Sequence, residues 1–313
     1  MDNRCITGLE NLPDEVRGCV LTLGNFDGVH LGHQKILQTA RSLADAETAP
    51  VAAATFEPPP DAITHPAHQL QRITQPQQKG RLLLEAGADF AVTIRFDEKL
   101  MSMSPEAFIK QIIVARFAPR HVVEGRNFFF GRGRAGNVET LSRAEPAAKF
   151  AVHVVEPVTA ALAGRDVRVS SSLIRSLVGQ GEIEQANQCL GRRFELLGRI
   201  IAGAGHGRLL EFPTANIEPH QQVCPADGVY AGKAEITDRQ FPAAISIGNK
   251  PTFGPAEQRT VEAFLIGAEG DYYDQPMSLS FAARLRDQQQ FDGVERLKAQ
   301  IEKDVQRARE IIG

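Results

Sequence analysis

Cysteine is scarce: the four residues, Cys5, Cys19, Cys189 and Cys224, are scattered and no two form a CxxC pair. That spacing excludes a disulfide framework and a thiolate zinc site as organising features, and makes a reducing cytoplasm the expected compartment. No apolar run approaches the roughly 20 residues needed to span a bilayer. Met1-Asp2-Asn3-Arg4-Cys5 does not have the charged-then-apolar plan of a signal peptide. Neither sign of charge dominates, since 35 Lys and Arg face 38 Asp and Glu, for a net charge of −3. A general binder of nucleic acid or of anionic membranes is thereby disfavoured. Internal repeats and low-complexity tracts are absent. What remains is a chain of 313 residues, 42% hydrophobic and 23% charged, an ordinary balance for a folded protein long enough for two domains. Oligomeric state is not set by any of these features.

The first part of the chain alternates apolar strands with amphipathic helices. Cys19 to Leu23 is a short apolar run that stops at Gly24, as a buried parallel strand would, and Ile36, Leu37, Ala40, Leu43 and Ala44 follow at helical spacing. Val51–Phe56, Asp89–Phe96, Arg120–Glu124 and Phe150–Val155 read as further strands. Gln77–Ala86 reads as a helix, and Ser104-Pro105-Glu106 as a capped helix start. This alternation predicts a doubly wound, Rossmann-like parallel sheet with its ligand at the carboxyl ends of the strands. The rhythm changes near Leu190-Gly191, which places a border between residues 1–186 and 187–313. Beyond it Gly228–Ile236, Phe241–Ile247 and Met277–Leu285 read as strands. Val294, Leu297, Ile301, Val305, Ala308 and Ile312 make one apolar helical stripe. A small β-barrel with a C-terminal helix is expected.

Chemistry-bearing residues concentrate in four places. Gly24-Asn25-Phe26-Asp27-Gly28-Val29-His30-Leu31-Gly32-His33 lies between the first long strand and its helix. Gly28 and Gly32 let backbone approach a phosphate, and the following helix start offers N–H groups and a positive dipole end. His30 and His33 can face the same anion, which suits charge stabilisation during nucleotidyl transfer. Val169-Ser170-Ser171-Ser172-Leu173-Ile174-Arg175 places hydroxyls at a helix start with Arg175 nearby, a cradle for β- and γ-phosphates. Gly207-Arg208-Leu209-Leu210-Glu211-Phe212-Pro213-Thr214-Ala215-Asn216 offers a Thr hydroxyl and an Asn amide to a magnesium ion on nucleotide phosphates. Gly248-Asn249-Lys250-Pro251-Thr252-Phe253 and Val261-Glu262 follow it. His65-Pro66-Ala67-His68 lacks a third nearby ligand and reads as a polar loop.

The pair HxGH and SSSxIR resembles the adenylyltransferase half of the bacterial bifunctional riboflavin kinase/FAD synthetases, whose GNFDGVHLGHQ loop is matched through Gln34. Gly125-Arg126-Asn127-Phe128-Phe129-Phe130-Gly131 is similar to that family's G-x-[DN]-F-x-F-G segment, and the alternative for its aromatic trio is core packing. The GRxLGFPTAN, GVYA, GxRPTF and VE succession of the kinase half is resembled in the same order. The resemblance implies an HxGH-type nucleotidyltransferase domain and a barrel riboflavin kinase domain. By it, Gly24, Phe26, Asp27, Gly28, His30, Gly32, His33, Ser171 and Arg175 serve ATP, and His30 and His33 act in catalysis. Asn127 and Phe128 serve the flavin, Gly207, Thr214 and Asn216 serve ATP and magnesium in the kinase, and Glu262 is the general base. Riboflavin, FMN, FAD and ATP are the implied partners, with Mg2+ as the cofactor and no tightly bound organic group. Five positions depart from the family pattern: Pro59 replaces a histidine, Glu211 a glycine, Lys250 an arginine and Asp274 a glycine, while Ala263-Phe264 occupies the site of a histidine. They leave open a member with one inactive half, or a flavin-binding regulator without turnover.

Overall fold

The computed structural model describes residues 2–64, 71–201, 214–248, 260–270 and 272–313. Gly207, Glu211, Lys250 and the His65-Pro66-Ala67-His68 loop lie outside them. The chain forms two compact units, one of Met1–Leu70 with Pro76–Ser170, the other of Gln71–Gln75 with Ser171–Gly313.

In the first unit the apolar runs become β1 (Cys5–Thr7), β2 (Val20–Leu23), β3 (Val51–Glu57), β4 (Phe90–Arg95) and β5 (His121–Gly125). A small hairpin of β6 (Phe129–Phe130) and β7 (Gly136–Asn137) precedes β8 (Ala151–Val155), and a second pairs β9 (Thr159–Leu162) with β10 (Arg165–Arg168). The main sheet is parallel in the order β1-β4-β3-β2-β5-β8. Alternate residues feed two cores, as burial on both faces requires. Leu21, Leu23, Ala52, Ala54, Val92 and Val122 pack on one face, and Val20, Val51, Ala53, Ala91 and Val123 on the other. From β2 the chain crosses through the Leu31–Glu47 helix to β3 on one side, whereas β5 returns to the other side of β2. The strand order therefore reverses between β2 and β5, where open α/β sheets leave a crevice at the carboxyl ends. Only Val20↔His121 and Leu21↔Val122 pair these two strands, so they part toward that end.

The second unit is a closed antiparallel barrel. Its strands are β11 (Phe194–Ile201), β12 (Thr214–Pro219), β13 (Gly228–Ile236), β14 (Arg239–Gly248), β15 (Thr260–Leu265) and β16 (Pro276–Arg286), in the order β11-β12-β15-β14-β13-β16. The amphipathic Val294–Ile312 helix lays Val305 and Ala308 on Ala231, Ala244 and Ile266. It is fixed by Arg286, whose Nη2 donates to the Asp304 carboxylate at 2.7 Å while Nε donates at 3.1 Å. The Ile183–Leu190 helix also belongs to this unit. The Asn187 side chain accepts from the Phe194 N–H at 2.7 Å and donates to the Phe281 carbonyl at 2.9 Å. The packing thus changes at Ser170/Ser171, earlier than the change in strand rhythm, because two helices here serve the barrel.

Gln71–Gln75 is a strip of early sequence held in the second unit. The Val223 N–H donates to the Arg72 carbonyl at 2.8 Å. The buried Gln222 amide donates to the carbonyls of Ile73 at 2.9 Å and Glu195 at 3.0 Å, and accepts from the Leu197 N–H at 2.9 Å.

Candidate active sites

The Gly24–His30 loop leaves β2 at the crevice between β2 and β5. The helix begins at Leu31, not after His33 as the sequence implies, and His30 is its N-cap: Nδ1 accepts from the His33 N–H at 3.4 Å. The two imidazoles stack with centroids 3.7 Å apart and planes 17° from parallel. Gly32 allows this, because a Cβ there would lie 3.1 Å from His30 Cε1 and 3.2 Å from Nδ1. Phe26 is buried in the core below and turns its edge to His33 at 5.1 Å, so it backs the histidine. Gly24 leaves room for that ring, a Cβ meeting it at 3.3 Å. Phe26 and Val29 hold left-handed backbone at φ 45° and 38°, strained values for bulky side chains that burial of both rings and methyls sustains. Asp27 and Gly28 complete the turn before the cap. Burial, then the neighbouring His30 and then Lys79, hold the His33 imidazole well below its ordinary value. Its buried Nδ1 makes no hydrogen bond. A neutral, half-buried imidazole over a helix N-terminus is a polarisable receptor for an anion.

Two ionisable residues beside this loop escape sequence reading. Lys79, on the Pro76–Glu85 helix, is 4% exposed and donates to the Asn25 carbonyl and to Thr55 Oγ1, each at 3.1 Å. Glu124, at the end of β5, is 2% exposed and accepts from the Leu23 N–H at 2.6 Å. A lysine within an amphipathic helix gives no signal of its own, whereas a carboxylate inside the apolar run of β5 is a visible anomaly.

After β5, Asn127 is exposed, with Gly125 so close to Oδ1 that a Cβ there would lie 3.2 Å away. The aromatic trio divides. Phe128 and Phe130 stack at 5.4 Å against the core, and Phe129 is 45% exposed beneath the Arg134 guanidinium at 5.0 Å. Phe128 is half-buried against the core, and Phe129 is the outward ring. Pro59 directly precedes the Pro60–Thr64 helix, and its carbonyl accepts from the Ala62 N–H at 2.9 Å. Ser171 and Arg175 lie in the first turn and one turn on of the Ser171–Gln180 helix, in the second unit.

In the barrel, strand register gathers the kinase candidates. Asn216 pairs with Glu262, and Glu262 pairs on its other side with Ser246, so three polar residues make one row across β12, β15 and β14. Thr214, two residues before Asn216, lies on the same strand face. The Gln288 amide extends the row, donating to Ser246 Oγ and to the Ile247 carbonyl, each at 2.9 Å. Of the departures, Ala263 is fully buried between Ala215 and Ile245, where the interior has space for a small residue. Phe264 packs beneath the C-terminal helix. Asp274 adopts φ 65°, the left-handed region that glycine favours and Asp tolerates. Arg199 Nη1 holds it by its carbonyl at 2.7 Å and its carboxylate at 2.9 Å. Among the described residues no cluster of three His, Cys, Asp or Glu could hold a metal, and no helix is long and apolar enough to cross a membrane.

Residues 12–173 match the family model of FAD synthetase, and residues 190–312 that of riboflavin kinase. The chain is 32% identical over 314 aligned positions to a bifunctional riboflavin kinase/FMN adenylyltransferase of Escherichia coli (strain K12), covering 99% of this chain and 98% of that protein. It is 34% identical to the protein of the same description from Pseudomonas fluorescens, with 97% and 96% covered. The Bacillus subtilis (strain 168) protein is 33% identical, with 95% and 93% covered. A solved structure described as a macrolide-efflux protein from Streptococcus pneumoniae has the same architecture, with TM-score 0.87, 26% identity, and 97% and 98% of the two chains covered. With both halves matched in order and relatives similar along nearly their whole length, the chain belongs to the bifunctional riboflavin kinase/FMN adenylyltransferases.

Proposed function

We propose that each activity of this enzyme rests on one of the two sites described. Adenylyl transfer takes place at the Gly24–His33 loop, in the unit of the parallel sheet. Riboflavin phosphorylation takes place at the Asn216–Glu262–Ser246 row, in the unit of the barrel. The register that sets Glu262 directly across from Asn216 carries the second assignment. The stacked histidines at a helix N-terminus carry the first.

In the kinase, the riboflavin 5′-hydroxyl oxygen attacks the γ-phosphorus of ATP, the bond to ADP breaks, and Glu262 takes the hydroxyl proton. The Thr214 hydroxyl and the Asn216 amide oxygen are hard donors, the type magnesium prefers, and nucleotide phosphates and water would complete the shell. Magnesium bound there would supply charge neutralisation on the phosphates. In the transferase, a phosphate oxygen of FMN attacks the α-phosphorus of ATP and pyrophosphate leaves. The nucleophile is already ionised, so positioning and charge stabilisation by the His30–His33 pair dominate. Asn127 and the exposed Phe129 would meet the flavin. A cytoplasmic location and small-molecule partners alone, without nucleic acid or membrane, fit this reading.

The test is a chromatographic time course with riboflavin, ATP and magnesium, repeated from FMN. FMN followed by FAD is the expected result. FAD from FMN alone would remove the kinase assignment, and FMN without FAD would remove the transferase assignment.

The neutral His33 gives a second expectation. A bound triphosphate stabilises the imidazolium and raises its pKa from that lowered value, so ATP binding should take up protons, increasingly as the pH falls from neutral toward the lowered range. Calorimetry in two buffers of different ionisation enthalpy reads that uptake. His33→Asn should remove the share belonging to this site, and an uptake untouched by the substitution would end this role for His33.

A further inference from the structure

Lys79 and Glu124 come from different elements, on the Pro76–Glu85 helix and at the end of β5, yet both grip the main chain of one short segment. Glu124 accepts from the N–H of Leu23 at 2.6 Å, and Lys79 donates to the carbonyl of Asn25 at 3.1 Å, two residues further on. Thr55 of β3 adds a third hold, its hydroxyl donating to the same Asn25 carbonyl at 3.1 Å while accepting from Lys79 at 3.1 Å. The segment between these holds includes Gly24, and directly after it come the strained Phe26 and Val29 and the histidine pair.

The position of each hold is explained by the sheet. β2 and β5 stop pairing after Leu21↔Val122, so the Leu23 N–H has lost its strand partner on the β5 side just where the loop begins. A buried N–H without an acceptor is costly, and the Glu124 carboxyl supplies one across the gap. On the other flank Gly24 still donates to the Ala54 carbonyl at 3.0 Å, so the loop leaves the sheet tethered to β3 and β5 together. Burying two ionisable side chains where leucine or methionine would pack is expensive, which argues for a task beyond filling space. Burial pushes the Glu124 carboxyl well above the ordinary carboxylate range, with the Leu23 N–H opposing it more weakly. A glutamine has nearly the same shape and keeps the acceptor oxygen.

We infer that Lys79 and Glu124 are positioning residues for adenylyl transfer, a two-sided main-chain clamp that holds the Gly24–His33 loop in its strained shape. The inference rests on the assignment of adenylyl transfer to that loop. Neither residue needs to touch substrate. Their effect passes through Leu23 and Asn25 to the stacked histidines, which must be held to within a fraction of an ångström of the reacting phosphate.

The experiment uses the full-length enzyme, whose kinase reaction reports on the barrel unit and whose unfolding transition reports on the unit that holds the loop. Lys79→Met and Glu124→Leu should each lower kcat for FAD formation from FMN by about 10–100-fold, the loss typical of misplaced reacting groups. The KM for ATP should change less, and FMN formation from riboflavin should stay within about twofold, below the scatter of ordinary surface substitutions. Glu124→Gln, which keeps the acceptor oxygen, should restore most of the activity lost in Glu124→Leu. The double variant should lose less than the product of the two single losses, because both act on one loop. Unchanged FAD formation in both single variants would overturn the clamp. So would an equal loss in Glu124→Gln and Glu124→Leu, or a parallel fall of both activities with the unfolding temperature. A wild-type enzyme that makes FMN but no FAD would instead overturn the assignment of the loop, a result distinct from all of these.

Discussion

Glu262→Gln should lower FMN formation by about 10²–10⁴-fold, the usual contribution of a positioned general base, while FAD formation from supplied FMN continues. The substitution keeps the length and planarity of the side chain, so the row with Asn216 and Ser246 and the packing of Val261 and Ala263 into the barrel are retained. What is lost is a group able to accept the proton of the 5′-hydroxyl as that oxygen closes on the γ-phosphate. Binding and turnover therefore separate. Riboflavin affinity, followed by quenching of flavin fluorescence, should hold within a few-fold, while the chromatographic rate collapses. Undiminished FMN formation would show that Glu262 is not the base. A protein that binds flavin as a regulator, without turnover, would show no rate to lose.

The second large effect is at Gly32. Gly32→Ala should lower FAD formation by about 10²–10³-fold, the scale of losing one charge-stabilising donor, and leave FMN formation intact. A methyl group there would press on the His30 ring at 3.1 Å and 3.2 Å. The ring must give by a few tenths of an ångström, which disturbs both its cap on the His33 N–H and its stack on the His33 ring. Stability should move the other way. Alanine in the first turn of a helix is better than glycine by up to about 1 kcal/mol, so the unfolding temperature should hold or rise while FAD formation falls. That opposition separates a displaced histidine from a damaged fold. A variant that keeps both its FAD rate and its stability would show that the stacked arrangement is unnecessary.

The parts legible in the sequence are those whose signal is local. Apolar runs locate β2, β3, β5 and β13, and an apolar stripe locates the C-terminal helix, to within a residue or two, because the strands are buried over most of their length and the helix buries one face. The histidine loop and the SSSxIR segment are contiguous motifs. Illegible residues act across distance. Lys79 and Glu124 lie 54 and 101 positions from their partners in the loop. Their role exists only once three strands and a helix have come together. β1 is three residues long and pairs with β4 at the sheet edge, too short for periodicity to show. The cap role of His30 is hidden for another reason, since histidine is not among the side chains that usually cap helices. Phe128 and Phe129 show the opposite case: the motif is plain, but which ring turns outward depends on the β6–β7 hairpin. Asp274 reads as an anomaly in sequence and as an ordinary left-handed turn residue in space.

The Gln71–Gln75 strip gives the two units three covalent junctions, at 70/71, 75/76 and 170/171, so no single cut in the chain separates them. Birth order on the ribosome is affected as well. Ile73 and its buried partner Gln222 are 149 residues apart. At translation rates of about 5–20 residues per second the strip emerges roughly 7–30 s before Gln222 exists. Throughout that interval the nascent first unit carries in its middle a strip whose Arg72 and Ile73 carbonyls await donors that have not been made. The barrel, although last to be synthesised, cannot close its contacts without a segment translated long before it.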